Sequence, residues 1–419
     1  FIRRAIGDDP NLAVTILQRT AEDKYLRLDV SNAEEVVGGF PKTREELFAY
    51  RAIILGSVEA ASFTPDQLRM LADFVSKRGG GLLMLGGRRS FAEGGWAGTP
   101  VAEVLPVEFA DSPRGQKQEE DYVASVATKP TRAGLTYPVT QLGDTEQATS
   151  TKWDAMPPLT TVNPIHAVKP GATVLLTGKT SDRQDQVVLS YQRYGRGKSM
   201  AFSVQDSWIW KMDASMAVED TTHATFWRKL VRWLVDGVPD PVEVTTSVDR
   251  VEPGESVKLT GDIVDPTFTE VNDAHVVAQV KSPSGKTMEV PLEWTVSKDG
   301  EYKGSFVADE AGMYEVKGTA QRNGTDLGSG VMHTRASAGD SEYFDAAMRS
   351  SLLNRIAEET GGRFFTPSTA GALPEAINYS GRGVTVVEER DLWDMPIILL
   401  VILALIGADW GLRRVRGLA

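Results

Sequence analysis

Two stretches of this 419-residue chain gather side chains able to do chemistry. The first is Gly86-Gly87-Arg88-Arg89-Ser90, inside the run GGGLLMLGGRRSFAEGGWAG at 79–98. Backbone N–H groups freed at a strand end, beside two guanidiniums, make a candidate anion site. No Gly-Lys-Ser/Thr follows, so it is not a Walker loop, and the spacing is not G-x-G-x-x-G. Ser90 lacks the G-x-S-x-G setting of a hydrolase elbow. The plainer reading is a tight turn, with its arginines solvated or paired to Glu93 and Glu103. The second stretch is Asp206, Trp208 and Trp210, with His223 further on, a candidate pocket at the sheet edge. Its plainer reading is aromatic packing and a histidine bonding at a helix end.

Other chemistry is excluded by composition. Cysteine is absent, which removes thiolate nucleophiles, zinc-thiolate sites and disulfides. His166, His223, His275 and His333 show neither H-x-x-x-H nor H-E-x-x-H, so no metal and no cofactor is expected. Glu119-Glu120-Asp121 reads as a solvated acidic loop. Lys plus Arg 45 against Asp plus Glu 57, a net −12, argues against nucleic acid as a partner.

These residues need elements to position them. Residues 1–238 alternate strand and helix signals. Residues 12–17 (LAVTIL) and 52–55 (AIIL) read as strands. Thr64-Pro65-Asp66-Gln67 opens a helix, with Thr as N-cap, Pro at the first position and Gln closing a capping box. Leu68, Leu71, Ala72 and Val75 give it one apolar face. Gly79-Gly80-Gly81 ends it, and 82–85 (LLML) is the next strand, so a βαβ crossover and a parallel sheet are expected. Further strands are predicted at 172–176, 186–191 and 199–204, then a Trp-rich helix at 223–235. After Val238-Pro239-Asp240-Pro241 the period changes to two. About seven strands with regular turn signals, over 239–337, predict an immunoglobulin-like β-sandwich. Residues 338–390 read as a short α/β segment, with a helix at 344–360 and a strand at 384–387.

The tail, 391–419, is different. Residues 392–412 (LWDMPIILLVILALIGADWGL) would span about 31 Å as a helix, enough for the hydrocarbon layer. Trp393 and Trp410 bracket the run as interfacial anchors, and Arg413, Arg414 and Arg416 follow at once. Glu388, Glu389 and Asp391 dominate the other flank. The positive-inside rule places the C-terminus in the cytoplasm and 1–390 outside the plasma (inner) membrane, with the lipid bilayer as a partner. The chain starts at Phe1 with no visible signal peptide, so an upstream span or further domains before Phe1 are expected.

The strand AIILGSV, the capped helix and GGGLLMLGG together resemble the class I glutamine amidotransferase-like fold, a flavodoxin-like α/β layer. More closely, SFAEGGWAGTPVAEVLPVEF, KPGATVLL, YGRGKSMAFSVQDSWIWKM, HATFWRKLVRWLVDG and DLWDMP resemble the amidotransferase-like region of large bacterial membrane proteins. Many of those carry a von Willebrand A domain upstream. True amidotransferases present a Cys on G-x-C-x-G after this strand; here the turn is Leu85-Gly86-Gly87-Arg88, and no cysteine exists. The resemblance therefore implies a catalytically dead domain, in a scaffold or recognition protein with protein partners in the cell envelope. The alternatives are a small-ligand or anion sensor, or a hydrolase, at the Gly86–Ser90 loop. A further reading is a platform whose active domain lies upstream of Phe1.

Overall fold

The computed structural model describes residues 1–21, 24–109, 123–165, 167–179, 185–337, 348–376 and 396–417. The chain forms two compact units, Phe1–Gly339 and Asp340–Ala419.

In the first unit, β1 (Ile16–Ala21) and β2 (Lys24–Leu28) pair as a hairpin apart from the main sheet. The strand expected at 12–17 therefore begins later and does not join that sheet. The main sheet holds β3 (Ala52–Gly56), β4 (Gly81–Leu85), β5 (Val123–Pro130), β6 (Leu159–Thr161), β7 (Thr173–Lys179), β8 (Asp185–Tyr194) and β9 (Gly197–Phe202). Their spatial order is β3-β4-β9-β8-β7-β5-β6. β3, β4 and β9 are parallel, as a βαβ crossover requires. Beyond β9 every pair is antiparallel, so the sheet is mixed rather than parallel throughout. The reversal is local: β8 and β9 are joined by a tight turn at Gly195, whose φ of 58° suits glycine.

The apolar run LLML is explained by burial on both faces. Leu83 joins one core, with Met200, Phe202, Trp210 and Phe226; Leu82 and Met84 join the other, with Leu71, Phe74 and Trp96. The helix Thr222–Val235 covers the first core and the helix Pro65–Ser76 the second. The capping box of the latter is complete: Gln67 N–H donates to Thr64 Oγ1, and Thr64 N–H to Gln67 Oε1. Its fully covered residues are Met70, Leu71, Phe74 and Val75, so the buried stripe is rotated from the expected one. Leu68 and Ala72 pack partly buried against the same core, and Phe74 fills the space that a side chain at Gly80 would need.

The β-rich part comprises β10 (Val242–Thr246), β11 (Arg250–Val251), β12 (Ser256–Ile263), β13 (His275–Lys281), β14 (Thr287–Trp294), β15 (Glu301–Val307), β16 (Gly312–Arg322) and β17 (Thr325–Ala336). They form one curled sheet in the order β10-β12-β15-β14-β13-β16-β17-β11. Alternation drives it: Val257, Leu259 and Ile263 face inward between more exposed neighbours. Asn323 and Gly324, both at positive φ, turn β16 into β17 as a two-residue hairpin loop. β14 makes the corner, pairing with β13 as far as Leu292 and with β15 at Glu293 and Trp294. Pro291, which has no N–H for a ladder, sits just before that hand-over.

The second unit has helices at Ser350–Glu359 and Pro396–Val415. The strand expected at 384–387, Trp393 and the acidic flank lie outside the described residues. Pro396–Val415 is long and apolar enough to cross a membrane by length and composition, with a mean hydropathy of 1.9 and none of it buried. Near its end Asp409 pairs with Arg413 at 3.0 Å, and Arg414 lies over the Trp410 ring at 5.2 Å. Arg416 follows in the last turn region.

Candidate functional site

The Gly86–Ser90 loop leaves β4 at the carboxyl end of the parallel strands, where α/β sheets place ligands. Both glycines are required by crowding. A Cβ on Gly86 would strike the Ser203 backbone, and one on Gly87 would lie 2.6 Å from Ser57 Oγ. Gly86 N–H donates to Phe202 O at 2.6 Å, tying the loop to β9. Across this end runs the segment 162–165, with Val162, Asn163 and Ile165 buried and Asn163 N–H donating to Ser203 O.

Asn163 is the centre of the arrangement. Its Oδ1 accepts from Gly87 N–H at 2.9 Å, and its Nδ2 donates to Gly87 O at 3.1 Å and to Glu93 Oε2 at 3.0 Å. The side-chain amide thus pairs with Gly87 as another peptide unit would. Asn163 is fully buried, and burial around the Glu93 carboxyl pushes it above the usual carboxylate range. The rest of the loop closes on itself: Ser90 N–H reaches Gly87 O, Gly94 N–H reaches Ser90 O, and buried Trp96 donates its indole N–H to Val58 O.

The sequence-predicted anion residues are therefore split. Gly86, Gly87 and Ser90 are buried, while Arg88 and Arg89 point outward. Arg89 meets Glu59 at 3.6 Å, not the Glu93 or Glu103 expected of it. Two open concavities among the described residues are not lined by this loop. One of about 750 Å³ lies at Phe1, Arg3, Arg4, Asp8, Leu12 and Asp29; the other, of about 190 Å³, lies between Val242 and Gly330.

The second candidate group is also divided. Asp206 is buried, its Oδ2 accepting from Thr160 N–H and Oγ1 at 2.6 Å each. Trp210 is buried in an edge-to-face cluster, 5.5 Å from both Trp153 and Phe226. Trp208 is 44% exposed and stacks on Phe1. His223 is 3% exposed in the first turn of its helix. Burial chiefly, then the α-amino group and Lys211, push it down to about 4. Among the described residues its Nε2 has no hydrogen-bond partner. Among the described residues, no group of three or more His, Cys, Asp or Glu could hold a metal; His166 lies outside them.

Counting from Gly86 as the first glycine of G-x-C-x-G, the nucleophile position falls on Arg88. Asn163 carried no sequence signal beyond Asn-Pro, a turn marker. Its role appears only when the edge of the sheet folds back over β4 and β9.

A mixed α/β layer sealed at its strand ends and joined to a β-rich module defines the class of protein. The profile of the family described as "Putative glutamine amidotransferase" matches residues 9–236, and the chain belongs to that family. Among curated proteins, none matches the chain. Similar solved structures include the cytoplasmic proteins STM3548 and STM1381 from Salmonella typhimurium. These are 20% and 23% identical, cover 53% of this chain and 94% and 95% of their own, each with a TM-score of 0.36. The Lin-41 filamin domain is 19% identical over 24% of this chain and 95% of its own, with a TM-score of 0.20. At such scores these likenesses bear on neither fold nor function.

Proposed function

We propose that the chain is a membrane-anchored, extracytoplasmic scaffold or recognition protein of the bacterial cell envelope, with a catalytically silent amidotransferase-like domain. The observation that carries this is the occupied strand end. The Gly87 N–H that could receive a ligand is already bonded to Asn163, and an outward arginine stands at the nucleophile position. A site whose donors are satisfied by its own chain has little to offer a substrate. In this reading the first domain is flavodoxin-like and the β-rich module immunoglobulin-like. The Pro396–Val415 helix is the span, with Arg413, Arg414 and Arg416 in the cytoplasm. Partners are envelope proteins, and a von Willebrand A domain stands upstream.

Two measurements test it. The full chain in nanodiscs should release no ammonia from glutamine, and its melting temperature should not move with glutamine, phosphate or citrate. A shift abolished by Arg88→Ala would replace the scaffold by an anion sensor. Protease added to intact spheroplasts should digest the large domains; full protection would overturn the orientation.

A further inference from the structure

The passage from the α/β domain to the β-rich module looks in sequence like a Pro-rich linker. In the structure it is pinned along its length. Arg78, just before β4, is 2% exposed. Its Nε donates to Phe48 O at 3.0 Å and its Nη1 to Pro239 O at 2.7 Å. The guanidinium lies 4.0 Å from the centre of the Phe268 ring, and Phe268 belongs to the β-rich module. Phe268 and Val264 are buried in the same core as Leu71, Phe74 and Met84 of the α/β layer. Phe48 packs edge-on against Phe268 at 6.1 Å.

Each partner is shaped for this contact. Phe268 has a φ of 60°, a conformation uncommon for a bulky residue. Asp265 holds it there: its Oδ1 accepts from the N–H of Thr267 and of Thr269 on either side. Strain of this sort persists only where surrounding contacts over-determine it. Around the linker, Lys198 Nζ donates to Asp236 O at 2.6 Å, and Arg51 meets Asp240 through both carboxylate oxygens at 2.6 Å. Burial, with Arg51 and Arg196 nearby, pushes Arg78 down to about 10, so it stays charged at neutral pH. Its contacts are two backbone carbonyls and a ring, and Asp240 is engaged by Arg51. A charge so placed depends on keeping all of those contacts at once.

We infer that Arg78 and Phe268 form a latch that makes the α/β domain and the β-rich module one rigid body, with a fixed angle between them. The inference stands independently of the scaffold proposal. The chain would then present its two domains as a single strut, not as two beads on a flexible linker.

The absence of cysteine makes the test clean. Val218 and Val296 are both strongly exposed, one in each domain, and can be replaced by Cys for spin labels. In the full chain in nanodiscs, the label-to-label distance should be a single narrow distribution, and calorimetry should show both domains melting together. Phe268→Ala and Arg78→Ala should broaden the distribution severalfold or split the melting, with far-UV dichroism unchanged. A broad distribution or two separate meltings in the wild type would overturn the latch. So would a narrow distribution in the double variant Arg78→Ala/Phe268→Ala. Should Arg78→Ala fail to fold, the wild-type distribution and the milder Phe268→Leu decide the question, the latter expected to broaden it less than Phe268→Ala.

Discussion

Arg78 stands at the amino end of β4, and Arg88 and Arg89 stand at its carboxyl end. The first is buried among carbonyls and an aromatic ring; the other two lie in solvent. An α/β sheet normally does its chemistry at the carboxyl end and keeps the amino end for stability. Here, among the described residues, the cationic groups at the carboxyl end hold nothing beyond a loose 3.6 Å contact with Glu59. The amino end carries the specific contact. The difference teaches that a basic residue beside a glycine turn is no guide to binding until its burial is known.

The comparison is broken most directly at Arg78. Arg78→Ala leaves Phe48 O and Pro239 O without their donor and opens space beside Phe268. Orphaned buried acceptors cost about 1–3 kcal/mol each, so a loss of about 3–4 kcal/mol is expected, read from urea unfolding. Arg78→Lys should recover only part, because an ammonium lacks the flat guanidinium face that lies over the Phe268 ring and the rigid pair of donors aimed at the two carbonyls. A loss below about 1 kcal/mol would erase the contrast between the two ends.

His223 sharpens the comparison from the side of pH. Its pKa in the folded protein is pushed down to about 4 from an ordinary 6.5. The unfolded chain therefore takes up a proton first as the pH falls. Stability from this group is fully present above about 6.5 and is lost between 6.5 and 4, by about 3 kcal/mol in all. His223→Phe should flatten that slope in pH-dependent unfolding. An unchanged slope would mean that His223 is accessible in the folded state.

Asn163 comes next. Asn163→Ala would strand the buried Gly87 N–H, leave Gly87 O with Ser90 N–H alone and take one donor from the Glu93 carboxyl, for an expected loss of about 2 kcal/mol. It would also free the Gly87 N–H, so added acetamide should restore part of the melting temperature in this variant and not in the wild type. No rescue would mean that the loop collapses when the amide is removed.

Much of this was legible before the structure. The capping box at Thr64 and Gln67, the run LLML and the period-two strands after Pro241 are local patterns, and local patterns survive folding. The strand-end loop was legible as a position only. Its meaning depended on Asn163, 76 residues away, and sequence periodicity has no term for that separation. Arg78 was missed for a related reason. In KRGGG it reads as a solvated helix end, and Phe48, Pro239 and Phe268, all distant in sequence, are what enclose it. The antiparallel half of the sheet escaped because a strand's apolar pattern does not encode the direction of its neighbour.

The smallest expected effect is at the carboxyl end itself. Arg88 and Arg89 are exposed, and the Arg89–Glu59 contact joins side chains that are 68% and 50% exposed. Exposed ion pairs contribute about 0–1 kcal/mol and fade with salt. Arg88→Ala and Arg89→Ala should therefore each change stability by less than about 0.5 kcal/mol. The sign matters less than the contrast with Arg78, several-fold larger on the same strand. The pair also separates two uses of the loop that stability alone confuses. If Arg88→Ala and Arg89→Ala leave folding untouched but weaken the capture of an envelope partner, the exposed guanidiniums belong to a protein-binding surface. If both folding and capture are untouched, the binding surface lies elsewhere on the molecule, and the carboxyl end of this sheet retains the architecture of an active site without its use.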